Sequence, residues 1–230
     1  MNRVCALIII FAVSTFCGTA PAFSRQIMQM EPIRYETAPH FGLYYGGGKL
    51  SSDKTIAEFY IHGEAFGTKI HAYPAFGMTG EWPWNEWISS YALATYEEIK
   101  IRYGKDSGDD EKFYSHDLNL QAGIECSLPI FRSERAQVAF KLIGQGGVSG
   151  GYGFFSNSKF DNPKIWGYAW GVGARLLWQR FSLAGGIRNT HTYWHTYFSR
   201  KTGESKGDDS FMFDADATAQ PFFSLSVALF

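Results

Sequence analysis

The sequence has few cysteines, no excess of charge of one sign and a single long apolar run. The three cysteines are Cys5, Cys17 and Cys126. The first two lie in the N-terminal apolar segment, so loss of that segment would leave one thiol, which cannot form an internal disulfide. The 21 Lys and Arg nearly balance the 22 Asp and Glu, giving a formal net charge of −1. Without a basic stripe, nucleic-acid binding has no electrostatic support.

The N-terminal apolar run has the layout of an export signal. Arg3 is followed by a run of apolar residues, and small residues then lead to Ala22 and Ser24. The run is shorter than the roughly 20 residues that a membrane-spanning helix needs. The pattern therefore predicts a signal peptide over residues 1–24, cleaved after Ala22 or Ser24. The alternatives are a retained helical anchor, or a lipoprotein at Cys17, which the bulky preceding residue disfavours.

After this segment, no stretch approaches the roughly 18 continuous apolar residues of a membrane-spanning helix. Instead, apolar and polar side chains alternate over long segments, as they do in strands with one apolar face. The clearest case runs from Lys164 to Trp178, where the even positions from Trp166 onward are apolar, many of them aromatic, and the odd positions are mostly small or charged. Residues 117–130 repeat the pattern. A tilted strand of about a dozen residues spans roughly 30 Å, the thickness of a bilayer core.

The alternation predicts about eight strands, an even number as bacterial single-chain barrels require. They cover residues 41–50, 55–68, 87–103, 113–130, 135–150, 164–178, 181–197 and 219–230. Short connections alternate with longer polar ones, except that 69–86 would be a long connection on the short-turn side. The predicted fold class is all-β, an antiparallel up-and-down transmembrane β-barrel, with 25–40 a short periplasmic leader and 41–230 the barrel.

The apolar face of each strand is expected to meet lipid, and the polar face to fill the lumen. The charged residues predicted to point into the lumen are Glu98, Lys100, Arg102, Glu125, Lys141, Arg175 and Arg188. Because an eight-stranded barrel is just wide enough for side chains to fill, and buried charges must pair, we expect an ion-pair network there. The alternatives are a narrow channel, or a soluble β-sandwich or lipocalin-like barrel, which would have to place the aromatic-rich face inside.

Residues 188–204 carry the most suggestive cluster of polar and aromatic side chains. His191, Tyr193 and His195 share one face of a regular strand. The two histidines would lie about 13 Å apart on a strand, too far to bind one ion, so we expect no metal and no other cofactor. An aromatic belt at the outer leaflet accounts for the cluster, because Tyr, Trp and His favour an interface.

The same segment resembles the active-site strand of small outer-membrane lipid A 3-O-deacylases. In that family an Arg is followed after three residues by a His and two residues later by a Ser, with a Glu further along. Arg188 and His191 have this spacing, and Glu204 stands where the Glu is expected. The resemblance implies a lipid A acyl-ester hydrolase with His191 as base. Tyr193 stands at the serine position and Ser199 is the nearest hydroxyl of that type, so the attacking group is missing.

The whole pattern resembles small outer-membrane barrels such as the OmpA transmembrane domain. The C-terminal segment PFFSLSVALF alternates and ends in Phe230, as such barrels do, although this Phe is one position out of phase. The resemblance implies a non-enzymatic Gram-negative outer-membrane protein acting through its extracellular loops, here 104–112, 151–163 and 199–216. The implied partners are the barrel assembly machinery, outer-membrane lipid and lipopolysaccharide, and a host or envelope protein that contacts the loops.

Overall fold

The computed structural model describes residues 33–47, 56–61, 64–104, 111–156, 161–197 and 210–229. Within these residues, ten strands form one antiparallel sheet. They are β1 (His40–Gly47), β2 (Ile56–Ile61), β3 (Glu64–Ala72), β4 (Pro74–Pro83), β5 (Ile88–Gly104), β6 (Glu111–Ser133), β7 (Val138–Phe155), β8 (Lys164–Trp178), β9 (Phe181–Tyr197) and β10 (Ser210–Ala228). None of the described residues lies in a helix that is long and apolar enough to cross a membrane. The predicted signal peptide and Phe230 lie outside the described residues.

Eight of these strands close into a ring. β1 pairs with β10 on one side and with β4 on the other. From β4 to β10, each strand pairs with the next one along the chain. The chain therefore runs up and down around a barrel whose closure leaves no unpaired edge in the ring. The predicted fold class is confirmed.

The prediction of a single barrel strand at 55–68 is wrong. Its described residues belong to the β2–β3 hairpin, which extends one wall of the ring, and β4 is the strand that pairs with β1. β3 pairs with the second half of β5, from Gly67 opposite Gly104 to Ala72 opposite Ile99. Tyr73 alone separates β3 from β4, and its backbone N–H donates to the carbonyl of Glu98 at 2.9 Å. β3 and β4 thus behave as one long strand along β5.

The prediction of a long connection at 69–86 is wrong. This stretch contains the end of β3 and all of β4, and the turn is confined to 84–87. The alternation is hard to recognise because a glycine, Gly80, occupies an outward position whose backbone is covered by the rings of Phe41 and Trp82. The two prolines of β4 are its first and last residues, where a missing N–H is tolerated.

The predicted bounds of β8 and β9 are confirmed, whereas other strands extend into predicted loops. β6 begins at Glu111, β7 runs to Phe155 and β10 begins at Ser210. Parts of the predicted contact loops 104–112, 151–163 and 199–216 are therefore strand. Glycine-rich and acidic sequence continues through these strand ends, which is why they look like loops.

The two ends of the barrel differ in their connections. The end with the short turns 84–87, 134–137 and 179–180 is called the turn end here, and the opposite end is called the loop end. Between them, the outer surface of the ring carries a broad apolar band. Its large exposed side chains include Leu43, Phe76, Met78, Leu118, Leu120, Ile124, Leu142, Val148, Trp170, Val172, Leu183, Ile187, Phe223 and Leu225. A monomer in water does not expose so much contiguous apolar surface, whereas a barrel in lipid does.

Candidate functional site

Ion pairs centred on Glu36 fill the lumen at the turn end. The Glu36 carboxylate lies 2.6 Å from Arg132 Nη2 and 2.8 Å from Lys141 Nζ. Arg132 also pairs with Glu86 at 2.7 Å. Glu36 belongs to a turn at 33–38, just before β1. This segment, predicted to be part of a periplasmic leader, therefore occupies the mouth of the barrel.

The electrostatics of this turn favour the charged form of Glu36. Burial alone would raise the pKa of its carboxyl, but hydrogen bonds from Arg132 and Lys141 and their positive charges hold the pKa below its ordinary value. The backbone N–H of Ile33 also donates to the carboxylate at 3.1 Å. Ile33 itself is buried against Ala139 and Leu177, so apolar packing anchors the same turn.

A second ion-pair cluster lies further into the lumen. Glu125 accepts hydrogen bonds from Arg175 Nη2 at 2.8 Å and from Gln145 Nε2 at 2.7 Å. Arg175 also forms an ion pair with Glu81. The predicted inward orientation of Glu125, Lys141 and Arg175 and their pairing are confirmed. Neutralising partners on several strands allow charges to be buried inside the barrel.

A small polar cavity of about 60 Å³ lies in the lumen on the loop side of these clusters. Glu97, Arg188, Gln121 and Gln220 are among its lining residues. Arg188 Nη1 donates to the hydroxyl of Tyr44 at 3.1 Å, which confirms that Arg188 points inward. Such a cavity is polar and large enough for ordered water.

The predicted inward orientation of Glu98, Lys100 and Arg102 is wrong. On β5 the odd-numbered residues face the lumen, so that Ile99 and Ile101 are 1% and 0% exposed. The even-numbered charged residues therefore point outward. At this end of β5 the inward face of the wall is apolar and the outward face is charged. An apolar face therefore no longer identifies the outer side of the wall.

The same reversal is present on β6, the neighbour of β5. Phe113 is buried and its ring meets that of Phe155 at 5.0 Å, whereas Lys112 is exposed. His116 also faces outward, and its Nδ1 lies 2.8 Å from the hydroxyl of Tyr96. Apolar inside and charged outside is the arrangement of a protein wall in water. The wall formed by β5 and β6 therefore extends past the apolar band at the loop end.

A polar cluster lies on the outer surface of β8, β9 and β10. His191 of β9 is in register with Tyr168 of β8 and Asp216 of β10. Its Nδ1 forms a hydrogen bond with an Asp216 carboxylate oxygen, and its ring stacks on Tyr168 with centroids 5.1 Å apart. The side chain of His191 is only 12% exposed, whereas that of Asp216 is 71% exposed.

Aromatic rings surround this His191–Asp216 pair. Tyr193 packs edge-on against His191 at 4.4 Å and stacks on Trp166 at 3.9 Å. The predicted common face of His191 and Tyr193 is thus observed. A carboxylate held against an imidazole nitrogen is the arrangement that orients a histidine as a general base.

The structure does not bring all the sequence-predicted residues together. Arg188 lies on the opposite face of β9 from His191, inside the lumen. Glu204 and Ser199 lie outside the described residues. Among the residues that are described, no three His, Cys, Asp or Glu side chains are grouped to hold a metal ion.

Asp216 is the partner of His191 that sequence reasoning missed. The pairing of β10 with β9 shifts between Ala217 and Gln220, and Ala219 has a φ of 53°. The backbone N–H of Ala219 donates to Asn189 Oδ1 at 2.8 Å, which holds this irregularity. A bulge of this kind changes which side chains share a face of the sheet, and the residue pattern of the sequence does not predict it.

Comparison with known proteins bears on the fold. No family model matches the sequence, and no curated protein matches it. Among solved structures, the outer membrane protein OprG from Pseudomonas aeruginosa aligns with 86% of this chain and 99% of its own length. The TM-score is 0.56 at 12% sequence identity. The chain therefore has the fold of an outer-membrane β-barrel, and an identity this low carries nothing about activity.

Proposed function

We propose that this protein is an integral outer-membrane β-barrel of a Gram-negative bacterium that acts at the cell surface by binding rather than catalysis. The observation that carries the proposal is the change along the outward face of β5. Nearer the turn end this face carries Ala92, Ala94 and Tyr96, which belong to the apolar band of the ring. Toward the loop end it carries Lys100 and Arg102, while Ile99 and Ile101 are buried inside. A wall that passes from lipid into water accounts for this change.

Aromatic side chains at both ends of the apolar band support the same placement. Those near the turn end are Trp82, Trp84, Phe131, Trp178 and Phe181. Those near the loop end are Tyr45, Tyr96, Tyr152, Trp166 and Tyr168. Tyr and Trp favour the membrane–water interface because one part of each ring is apolar and the other polar. In this proposal, the protruding wall and the remaining loops at the loop end form the binding surface.

Cysteine accessibility on intact cells tests the orientation and location. In a Cys126→Ser background, Arg102→Cys reports on the loop end and Glu134→Cys on the turn end; both native side chains are exposed. We expect a membrane-impermeant maleimide to label residue 102 on intact cells, and residue 134 only after the outer membrane is permeabilised. Recovery of the protein as a detergent-free soluble species, or equal labelling of both sites, would refute the proposal.

A second candidate, a lipid A-modifying acyl hydrolase, is favoured by the His191–Asp216 pair. Asp216 would orient the imidazole of His191, which would take a proton from a water molecule attacking an acyl ester and give it to the departing alkoxide oxygen, releasing the fatty acid and an alcohol. The pair faces outward among aromatic rings, where a lipid substrate could reach it. Tyr193 at the serine position means that this route uses water as the nucleophile and forms no acyl-serine.

Fatty-acid release from lipid A separates the two candidates. The purified barrel is incubated with lipid A beside His191→Ala and Asp216→Asn variants. The control is Glu134→Gln, which changes an exposed side chain at the turn end, away from both sites. Release that disappears in the first two variants and persists in the control supports the hydrolase. Unchanged lipid A in the presence of the folded native protein rules it out.

A further inference from the structure

Three cationic side chains form a basic patch at the loop end of the outer wall. They are Lys100 and Arg102 of β5 and Lys112 of β6. Arg102 and Lys112 are paired across the two strands, and both are exposed. Neighbouring strands lie about 4.8 Å apart and alternate residues about 7 Å apart, so the three cations fall within the span of one headgroup.

Among the described residues, the acid nearest the basic patch along the outward face of β5 is Glu98. It precedes Lys100 on that face and lies 3.7 Å from His116 Nδ1. Lys100 Nζ lies 5.7 Å from the centre of the Tyr114 ring. On the neighbouring strand β3, the exposed His71 is in register with Lys100, so an imidazole lies beside the patch.

An apolar groove of about 610 Å³ crosses the same wall nearer the turn end. Both small and larger apolar residues line it. The small ones are Gly80, Ala92, Ala94, Ala122 and Gly150, and the larger ones include Phe41, Met78, Trp82, Leu120 and Val148. A concave strip inside an otherwise convex apolar band fits a single extended chain of methylene groups.

The patch and the groove lie along the same two strands. Ala94 of the groove and Lys100 of the patch are six positions apart on β5, which is about 20 Å along a strand. The outward residues between them include Tyr96, and on β6 Leu118, both exposed to the apolar band. A molecule with an anionic head and an apolar chain can therefore contact both features at once.

We propose that the basic patch and the apolar groove form one specific binding site for bisphosphorylated lipid A. The two phosphates contact Lys100, Arg102 and Lys112, and one acyl chain occupies the groove. Three cations spread over two strands match two phosphate groups, whereas a phospholipid offers a single phosphate. The inference rests on the proposed outer-membrane location, because that location puts the loop end in the leaflet where lipid A lies.

Binding to purified, folded protein in detergent micelles tests the site. The probes are bisphosphoryl lipid A and phosphatidylglycerol. The double variant Arg102→Gln, Lys112→Gln removes two cations, and we expect the Kd for lipid A to rise roughly thirtyfold. Lys164→Gln is the matched control, because Lys164 is exposed at the loop-end start of β8, on a different part of the wall.

A second variant fills the groove without disturbing the backbone. A Cβ added at Gly150 meets only the carbonyl oxygen of Ile165, at 3.9 Å, so Gly150→Leu projects into the groove. We expect it to weaken lipid A binding roughly tenfold by excluding part of the acyl chain. Gly144→Leu is the control, because a Cβ at Gly144 meets nothing within 4 Å and Gly144 does not line the groove.

Two results would overturn the inference: unchanged affinity for lipid A in both site variants, or binding of phosphatidylglycerol as tight as that of bisphosphoryl lipid A. Loss of affinity in the site variants alone supports it. Heat-modified mobility on gels verifies that every variant is folded. Since the proposed location is measured separately by maleimide labelling on cells, a barrel labelled as expected that fails to bind lipid A refutes this inference alone.

Discussion

The substitution Glu36→Gln removes the charge at the centre of the ion-pair cluster that closes the turn end. Glutamine keeps the length of the side chain and an oxygen that accepts the N–H of Ile33. What it removes is the charge that faces Arg132 at 2.6 Å and Lys141 at 2.8 Å. The variant therefore isolates the electrostatic contribution of the N-terminal turn to the stability of the barrel.

The expected loss in the free energy of unfolding depends on which partners Arg132 and Lys141 keep in the variant. Removing one partner of a buried ion pair costs about 3–5 kcal/mol when the other charge is left alone. Here Arg132 keeps Glu86 at 2.7 Å, and Lys141 keeps the carbonyl oxygen of Glu86 at 3.1 Å. We therefore expect the free energy of unfolding to fall by about 2–3 kcal/mol, less than the loss for a charge left alone.

Urea unfolding of the barrel in lipid vesicles measures this loss. Glu134→Gln is the control, because Glu134 is an exposed acid in a turn at the same end of the barrel, and its substitution should change little. A decrease of less than about 0.5 kcal/mol for Glu36→Gln, within the usual range for surface substitutions, would refute the assignment of a structural role to this cluster.

The pH dependence provides a further check on the same residue. The pKa of Glu36 in the folded protein lies below its ordinary value of 4.5, so folding favours the carboxylate. Its contribution is present at pH values above the unfolded pKa and is lost as the pH falls through the folded pKa. The difference between native protein and Glu36→Gln should therefore shrink as the solution is acidified. A difference in unfolding free energy that stays constant or grows on acidification would contradict the lowered pKa of Glu36.

Three other substitutions have expected effects on the same unfolding transition. Leu120→Arg places a charge on a side chain that is 69% exposed in the apolar band, and it should cost about 2 kcal/mol in lipid. Trp194→Phe removes the N–H that donates to Asp117 at 2.8 Å and should cost about 1–2 kcal/mol; no change would argue against that hydrogen bond. Gln179 has a φ of 53° in the turn 179–180, which Gly adopts without strain, so Gln179→Gly should stabilise the folded barrel by about 0.5 kcal/mol. A destabilised variant would show that this backbone conformation is not strained.

The sequence predicts best those strands whose whole length lies in the apolar band. β8 is the clearest case, because Trp166, Trp170 and Val172 face out while Gly171 and Arg175 face in. For such a strand, the alternation of residue types identifies the outward face, because that face is apolar along the whole strand. The lumen pairing of Glu125 with Arg175 follows from the same reasoning, because charges enclosed by such a ring need partners.

Where the environment changes along a strand, the same reasoning fails. On β5, Tyr91 faces the lumen, where its hydroxyl accepts a hydrogen bond from Gln121, while small Ala92 and Ala94 face out. The apolar residues at the far end are inside as well, since that end leaves the apolar band. Hydrophobicity alone therefore assigned the wrong face to this strand.

The His191–Asp216 pair marks another limit of sequence reasoning. The face of His191 was readable from alternation on β9. Its acidic partner was not, because the irregular register between Ala217 and Gln220 determines what lies opposite. Local backbone irregularities are set by tertiary hydrogen bonds, such as that from Ala219 to Asn189. Such hydrogen bonds cannot be recognised from the alternation of residue types in the sequence.

The central claim is that the apolar side chains of the ring face hydrocarbon while its charges are enclosed. A scan along β6 tests this most directly, with single cysteines at residues 118–125 in a Cys126→Ser background, each carrying a fluorophore. The protein is reconstituted in vesicles that contain lipids with a quencher on the acyl chain. We expect strong quenching at 118, 120, 122 and 124 and weak quenching at 119, 121, 123 and 125. Uniform quenching, or the opposite alternation, would contradict it.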